Sequence, residues 1–157
     1  MGAFMHTRIA EPSDWTAIEH LVIESFEPIT WARTLDERFG PLNGLAWRDR
    51  WKLRLSKIFQ EQIILIGVID GEIAGVSTST IDSRPALAYI DILAVSPNYQ
   101  KQGLGREMLR ATIAELQRRG AQFVNLDCLT NNEKANELYQ SEGFEEVARH
   151  IRWFRRI

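Results

Sequence analysis

The segment from Val95 to Gly105 constrains the fold of this chain more than any other feature. A strand-forming run from residue 89 onward stops at Pro97, and a short polar turn then leads into Gly103 and Gly105. An amphipathic run follows directly, so the segment predicts a strand, a tight turn and a helix. The two glycines leave the first N–H groups of that helix open to a ligand. Those unpaired donors, together with the positive end of the helix dipole, favour a phosphate.

The remainder of the chain predicts one α/β domain, of the three-layer α+β kind, over residues 1–157. Asp70-Gly71 is a strong hairpin signal between two β-rich runs, and Gly120 predicts a helix end. We expect a mixed, mostly antiparallel sheet flanked by helices. The predicted elements are strands at 5–10, 62–69, 72–81, 85–95 and 123–128, helices at 12–26, 45–59, 103–119 and 132–142, an irregular segment at 27–44, and a last strand opening at Gly143-Phe144.

Composition excludes several classes of protein. A net charge of −2 over 157 residues gives no overall field that would attract nucleic acid or an anionic membrane. The chain has no apolar run of transmembrane length and no secretory leader. Its one cysteine, Cys128, cannot form an internal disulfide, and the three histidines lack metal-ligand spacing. We therefore expect a cytoplasmic protein without a metal site, a nucleic-acid partner or a membrane anchor.

Two sequence blocks resemble one known family. The run Gln100-Lys101-Gln102-Gly103-Leu104-Gly105 resembles the (Gln/Arg)-x-x-Gly-x-(Gly/Ala) acetyl-CoA signature of the GCN5-related N-acetyltransferase (GNAT) superfamily. The block Asn132-x-x-Ala135-x-x-Leu138-Tyr139-x-x-x-Gly143-Phe144 is similar to a second element of that superfamily. Their order and separation also agree, and the resemblance covers residues 72–144. It implies the acyl-CoA N-acyltransferase fold and the transfer of an acetyl group from acetyl-CoA to an amine.

The resemblance implies where acetyl-CoA binds. The backbone at the end of the 85–95 strand would pair with the pantetheine amides and stabilise the oxyanion, and the glycine turn would wrap the pyrophosphate. Lys101 and Arg106 add charge there or are merely solvated. Asn132 either caps its helix or touches the cofactor arm. The predicted cofactor-binding residues are Leu93, Ala94, Val95, Gln100, Lys101, Gln102, Gly103, Leu104, Gly105, Arg106, Asn132 and Tyr139.

The resemblance also points to catalytic residues. Tyr139 matches the tyrosine that protonates the departing thiolate in the family, and a phenol remains a proton donor at neutral pH; the alternative is a core aromatic. Most acceptor amines are charged at pH 7 and need a base. Asp91 is the leading candidate, since alternation places it on the face of Leu93 and Val95; the alternative is a structural carboxylate. Asp127 is the second candidate.

The acceptor side is less determined. Residues 24–45 lie over the acceptor site in the family, so Glu24, Glu27, Asp36 and Glu37 would attract a cationic amine beside Trp31 and Phe39, or the segment is a solvated loop. The basic side chains of residues 48–57 are interpreted as a solvated helix face. The sequence leaves a small-molecule amine and a protein N-terminus open as acceptors. Direct transfer is favoured because Cys128 has no histidine near it in sequence.

Two further alternatives follow from the same residues. A non-catalytic acyl-CoA-binding sensor with this fold is the competing functional class, and Tyr139 argues against it. Thirteen residues follow Phe144, and they form a short hairpin, one long strand, or a segment that a second subunit completes. The last of these predicts a homodimer.

Overall fold

The computed structural model describes residues 4–157, which cluster into two compact units, one up to Asp127 and the other from Cys128 to Ile157. The first unit holds all five strands and four of the five helices of the described residues. The prediction of one domain over 1–157 stays a prediction beside this division. The elements in chain order are β1 (His6–Ile9), α1 (Trp15–Phe26), α2 (Trp31–Phe39), α3 (Trp47–Glu61), β2 (Ile63–Ile69), β3 (Glu72–Asp82), β4 (Leu87–Val95), α4 (Leu104–Arg118), β5 (Phe123–Leu126) and α5 (Glu133–Ser141).

The five strands form one sheet in the order β1-β2-β3-β4-β5. The first three pairings are antiparallel and the β4–β5 pairing is parallel. The β2–β3 connection is a hairpin in which Asp70 and Gly71 both have positive φ, at 50° and 80°, as the Asp-Gly pair predicts. The predicted fold class, a mixed and mostly antiparallel sheet with flanking helices, is confirmed.

Two glycines let α4 approach the sheet closely. Gly67 of β2 and Gly75 of β3 are paired across the ladder, and the fully buried Met108 of α4 lies over them. A Cβ added at Gly75 would come within 2.7 Å of Met108 Cγ. The same helix is fixed by a buried hydrogen bond of 2.6 Å between Thr112 Oγ1 and Ser77 Oγ of β3. The sheet therefore holds α4, and with it the turn that precedes the helix, in a defined position.

The opposite face of the sheet carries the larger core. Helices α1 and α3 pack there on apolar side chains of β2, β3 and β4, and burial of this kind is the main favourable term in folding. The members of that cluster are Ile18, Leu21, Val22, Leu55, Ile58, Ile64, Ile66, Val68, Val76, Ile92 and Ala94.

A β-bulge at Asp91 separates β4 from β5. Thr78 pairs with Ile92 and Ser79 with Ile90, so Asp91 is the extra residue on β4. The parallel ladder with β5 stops at the pair Ile90–Leu126, while β4 continues to Val95. Because bulges bend a strand and raise its twist, residues 91–95 extend past β5 with only β3 as a ladder partner among the described strands.

Two predicted elements differ from the structure. Residues 31–39 of the segment predicted to be irregular form α2, which Thr30 caps at its start and Gly40 ends with a φ of 76°. The last strand predicted from Gly143-Phe144 is wrong: no strand follows α5 in the described residues. The composition of that segment favours a strand, but a strand needs a pairing partner that composition cannot supply. Within residues 4–157 no helix combines the length and the apolar character needed to cross a membrane.

Candidate active site

The turn between β4 and α4 ends at a helix start whose first backbone N–H groups lack helical acceptors. A 3₁₀ turn over Pro97–Tyr99 leads to Lys101 and Gly103, which have φ values of 65° and 77°. Helix α4 begins at Leu104, and the N–H of Glu107 makes its first helical hydrogen bond, 3.2 Å to Gly103 O. The N–H groups of residues 104–106 precede that bond and have no acceptor within the helix. Such a set of donors at the positive end of a 15-residue helix suits a pyrophosphate.

Glycine at position 103 is required by backbone conformation rather than by space. A Cβ there would meet no other atom within 4 Å, yet the positive φ is one that L side chains rarely adopt. Gly103 is the N-cap of α4, so this left-handed residue sets how the chain enters the helix. Gly105 lies one residue inside the helix and keeps that surface free of a Cβ.

The end of β4 is tied to α1. The Ser25 hydroxyl donates to Val95 O at 2.7 Å, and Gln100 Nε2 lies 3.3 Å from the same oxygen. A carbonyl oxygen has two lone pairs, so Val95 O is already fully used. Val95 O is therefore unavailable to a pantetheine arm. The other predicted partners on this strand are the backbone groups of Leu93 and Ala94 and the N–H of Val95. Gln100 closes the turn back onto the strand.

Asp91 is held by two side chains from the α3 side of the sheet. Its Oδ1 forms a short ion pair with Arg54, and Gln62 Nε2 donates to its Oδ2 at 2.8 Å. The Asp91 side chain is only 12% exposed. The expectation that it shares a face with Leu93 and Val95 is wrong, because those two pack with α4 and the bulge reverses the alternation at Asp91. Arg54 is likewise more than part of a solvated basic face.

Asp127 lies just beyond the end of β5 and is exposed. The Tyr89 hydroxyl donates to its Oδ2 at 3.1 Å. Partial burial, followed by the negative charge of Asp127, raises the pKa of Tyr89 to about 12, so this phenol remains a donor at all physiological pH values. Tyr89 and Asp127 thus form a pair on the two strands where these begin to separate.

The second unit contains the other two predicted residues. Asn132 Oδ1 accepts the Ala135 N–H at 3.4 Å at the start of α5, which is the capping role. Gly143, with a φ of 88°, ends the helix, and the Phe144 N–H donates to Tyr139 O at 2.9 Å. The Phe144 ring packs 5.7 Å from that of Tyr139. The second sequence block therefore builds a capped helix that presents Tyr139.

Two titrating groups of this unit, the Tyr139 phenol and the Cys128 thiol, favour their neutral forms. Burial, and to a smaller extent the nearby Cys128, raises the pKa of Tyr139 above its usual range. Burial also raises the pKa of the Cys128 thiol. Since the thiolate is the nucleophilic form of cysteine, Cys128 is poorly suited to attack a thioester, whereas Tyr139 is suited to donate a proton.

The acidic side chains of the 24–45 segment each lie beside a basic side chain of the chain itself. Three of them pair with arginines and Glu24 lies beside His20, so this segment presents less negative charge than its composition suggests. The pairs are Glu24 with His20 at 3.1 Å, Glu27 with Arg48 at short distance, Asp36 with Arg50 at 2.8 Å and Glu37 with Arg33 at 2.9 Å. In the part of the chain that the structure describes, no group of three or more His, Cys, Asp or Glu side chains is arranged to hold a metal ion.

Comparison with known proteins identifies the family. The model of the Acetyltransferase (GNAT) family matches residues 15–144, which is most of the chain and includes both sequence blocks. This chain belongs to the GNAT family.

Curated relatives of this GNAT chain match shorter stretches. The [ribosomal protein bS18]-alanine N-acetyltransferase of Escherichia coli (strain K12) is 46% identical over 55 residues, which are 35% of this chain and 37% of that protein. The N-alpha-acetyltransferase RimI of Mycobacterium tuberculosis is 35% identical over 78 residues, 49% of this chain and 48% of its own length. The chain thus spans less than half of the length of either of these curated relatives.

Solved structures share the GNAT fold over nearly the full chain. The aminoglycoside N-acetyltransferase AAC(6')-Iy in complex with CoA superposes with a TM-score of 0.71 at 18% identity, over 100% of this chain and 98% of that one. The ribosomal-protein-S18-alanine N-acetyltransferase from Escherichia coli gives 0.70 at 24% identity, covering 92% of this chain and 80% of that one. At these identities the likeness establishes the fold alone.

Sequence reasoning did not find four residues that shape this site. Ser25 fixes the end of β4, Arg54 and Gln62 hold Asp91, and Tyr89 holds Asp127. Tyr89 was detectable in principle, since a polar-tipped aromatic two residues before Asp91 sits in an otherwise apolar strand. Arg54 was not, because only the bulge brings α3 and Asp91 together.

Proposed function

We propose that this chain is an acetyl-CoA-dependent N-acetyltransferase that transfers the acetyl group directly to a primary amine in a ternary complex. The observation that carries the proposal is the course of β4. The strand parts from β5 at the Asp91 bulge and runs into the glycine-lined start of α4. An extended backbone edge beside a phosphate-binding helix start suits a ligand with amide groups at one end and a pyrophosphate at the other.

The chemistry requires a base, an oxyanion donor and an acid. The amine must lose a proton before it attacks, and Asp91 and Asp127 are the carboxylates proposed for that step, directly or through water. A backbone N–H of residues 93–95 stabilises the oxyanion. Tyr139 then protonates the thiolate of CoA. The raised pKa values of Tyr139 and Cys128 support an acid role for the first and argue against an acyl-cysteine intermediate on the second.

The acceptor is an amine of one of two classes. The names of the relatives refer to an alanine of a ribosomal protein and to aminoglycosides, so a protein N-terminus and a small polycationic amine are the first acceptors to try. The internal pairing of Glu24, Glu27, Asp36 and Glu37 favours neither class.

Release of the CoA thiol tests this proposal. The purified chain is incubated with acetyl-CoA and a panel of amines that includes alanine-initiated peptides, aminoglycosides and polyamines. We expect release with at least one class of amine and none without an amine. Tight binding of acetyl-CoA with no release across the panel would instead indicate the non-catalytic acyl-CoA sensor. Absence of binding would contradict both.

We also propose that the protein is a cytoplasmic homodimer. The single cysteine suits a reducing compartment. In the C-terminal segment the apolar side chains of Val147, Ile151, Trp153 and Ile157 are at least 73% exposed. A second copy of the chain would cover these side chains. Light scattering is expected to give a dimer for the wild type and a monomer for Ile151→Glu; a monomeric wild type would contradict the proposal.

A further inference from the structure

Two aspartates lie where β4 and β5 separate. The parallel ladder joins Ile90 to Leu126, so one more step would have paired Asp91 with Asp127. The bulge ends the ladder at this point, and each carboxylate instead bonds to a side chain of its own. Asp91 and Asp127 therefore occupy equivalent positions on neighbouring strands, but they differ in the side chains to which they bond.

The partners of Asp91 are unfavourable for proton transfer. An arginine that is charged at every relevant pH occupies Oδ1, and the amide of Gln62 occupies Oδ2. Both oxygens of Asp91 are therefore occupied by side chains from the α3 side, and the ion pair links α3 to the bulged strand.

The contacts of Asp127 leave one carboxylate oxygen open to an acceptor amine. Among the described residues its carboxylate accepts one side-chain hydrogen bond, from the neutral phenol of Tyr89 at 3.1 Å on Oδ2, and the residue is exposed. A neutral donor orients a carboxylate without cancelling its charge. A hydroxyl that stays protonated also cannot compete for the proton that the carboxylate receives.

We propose that Tyr89 is a positioning residue that fixes Asp127 Oδ2, so that Asp127 Oδ1 takes the proton from the acceptor amine, while Arg54 and Gln62 reserve Asp91 for holding the bulge. This inference rests on the proposed transferase function. The acceptor ammonium gives one proton to Oδ1, and the nitrogen lone pair forms the N–C bond with the thioester carbon. The C–S bond breaks with its electron pair on sulfur, which is then protonated, and the amide nitrogen loses its remaining extra proton to solvent.

Two charged side chains besides Asp127 bear on Tyr89, namely Arg54 from α3 and Asp91 from β4. They form an ion pair with each other. The thiol of Cys128 follows Asp127 along the chain, and burial raises its pKa, so it stays uncharged. We therefore expect an acidic limb of the rate profile to depend on Asp127.

A double-mutant cycle on kcat/KM against pH tests the proposal. Tyr89→Phe is expected to lower the rate roughly 10-fold and to move the acidic limb to higher pH, because a carboxylate that loses a hydrogen-bond donor holds its proton more tightly. Asp127→Asn is expected to lower the rate roughly 10²-fold and to abolish the limb. The double variant should be no slower than Asp127→Asn alone, since Tyr89 acts only through Asp127.

Tyr99→Phe is the matched control. It removes the other phenol–carboxylate hydrogen bond of the chain's described part, Tyr99 to Glu72 at 2.9 Å, and should leave the acidic limb where it is. Additive losses in the cycle, or an unmoved limb in an active Tyr89→Phe, would overturn the inference. If Tyr89→Phe does not fold, Asp127→Asn decides, since wild-type rate and limb in that variant would also overturn it. A wild type without activity on any amine would overturn the proposed function as well.

Discussion

The β4–α4 turn and the α2–α3 helix pair use their polar groups in opposite ways. At the turn, the first N–H groups of α4 have no acceptors within the helix. In the helix pair, charged groups are matched within the chain: Asp36 accepts the Trp47 N–H at 2.6 Å and lies 2.8 Å from Arg50, and Thr30 caps α2. The comparison supports the proposed ligand site at the turn and indicates that the polar groups of the helix pair stabilise the fold.

This difference has an energetic consequence. Polar groups that bond within the chain contribute to folding, so their removal lowers stability. Polar groups that bond to a ligand instead of within the chain contribute little to folding, and their removal lowers the ligand affinity or the reaction rate. Variants in the two regions should therefore separate into two classes of effect.

The largest effect is expected at Asp36. Asp36→Ala leaves the Trp47 N–H without its acceptor and the partly buried Arg50 without its carboxylate partner, and we expect it to lower the free energy of unfolding by roughly 3 kcal/mol. Urea unfolding measures this loss. Glu37→Ala, which breaks an exposed ion pair with Arg33 in the same helix, should cost less than about 1 kcal/mol. If Asp36→Ala kept normal stability but bound acetyl-CoA more weakly, Asp36 would serve the ligand site and not the stability of the helix pair.

Tyr139→Phe should show the opposite pattern. Loss of the phenolic proton donor is expected to lower kcat roughly 10²-fold, or about 2.7 kcal/mol in the barrier, with little change in acetyl-CoA affinity or in stability. Steady-state kinetics with acetyl-CoA and the best amine of the panel measure kcat, and titration calorimetry measures the affinity for acetyl-CoA. Unaltered turnover would return Tyr139 to the role of an aromatic packed on Phe144.

Gly75→Ala should affect the turn only through the sheet beneath it. The added methyl group would meet Met108 at 2.7 Å, and overpacking of this kind costs about 1–3 kcal/mol. Thermal unfolding of Gly75→Ala, Met108→Ala and the double variant measures the loss of stability in each. The double variant should be more stable than the sum of the single losses predicts, because the smaller side chain at 108 makes room. Simple additivity would mean that the two residues do not meet.

The sequence predicted the turn well because its signals are local. Pro97, Gly103 and the following amphipathic period each act on the backbone within a few residues, and α4 begins one residue from its predicted start. Helix α2 was missed although Thr30 and Gly40 bracket it, because the prolines and glycines on either side of its nine residues suggested a loop.

The candidate site was predictable in its residues but not in their partners. Asp91 and Asp127 were both identified, yet their ranking depends on Arg54, Gln62 and Tyr89, which are 29 to 38 positions away from them in the chain. One extra residue in β4 turned Asp91 toward α3. A pattern of period two cannot foresee a bulge, since the bulge is the place where that period fails.

Gly103→Ala should weaken the ligand site with a modest loss of stability. An L residue at a φ of 77° costs about 1 kcal/mol, and the turn relaxes in a way that moves the N–H groups of α4, so acetyl-CoA affinity should fall several-fold. Gly120→Ala is the control, since Gly120 has a φ of 99° at the other end of α4 and equal space around it. We expect the two variants to lose similar stability, and only Gly103→Ala to lose affinity for acetyl-CoA. Equal acetyl-CoA affinities in the two variants would contradict a ligand site at the start of α4.

The smallest effect is expected at the far end of α4, where the charges are matched within the chain. Hydrogen bonds from Arg118 and then Arg119 lower the pKa of Glu115 to about 2, from a usual 4.5. A carboxyl with a lowered pKa in the folded state stabilises the fold above pH 4.5, and this contribution is lost as the pH falls toward 2.

Because these ion pairs lie at the surface, Glu115→Gln should cost roughly 1 kcal/mol or less at pH 7. Urea unfolding at pH 7 and pH 3 should show a smaller acid-induced loss in this variant than in the wild type, with acetyl-CoA affinity unchanged at pH 7. A change in that affinity would mean that the charges at the end of α4 reach its ligand-facing start, and the two ends of the helix could no longer be treated separately.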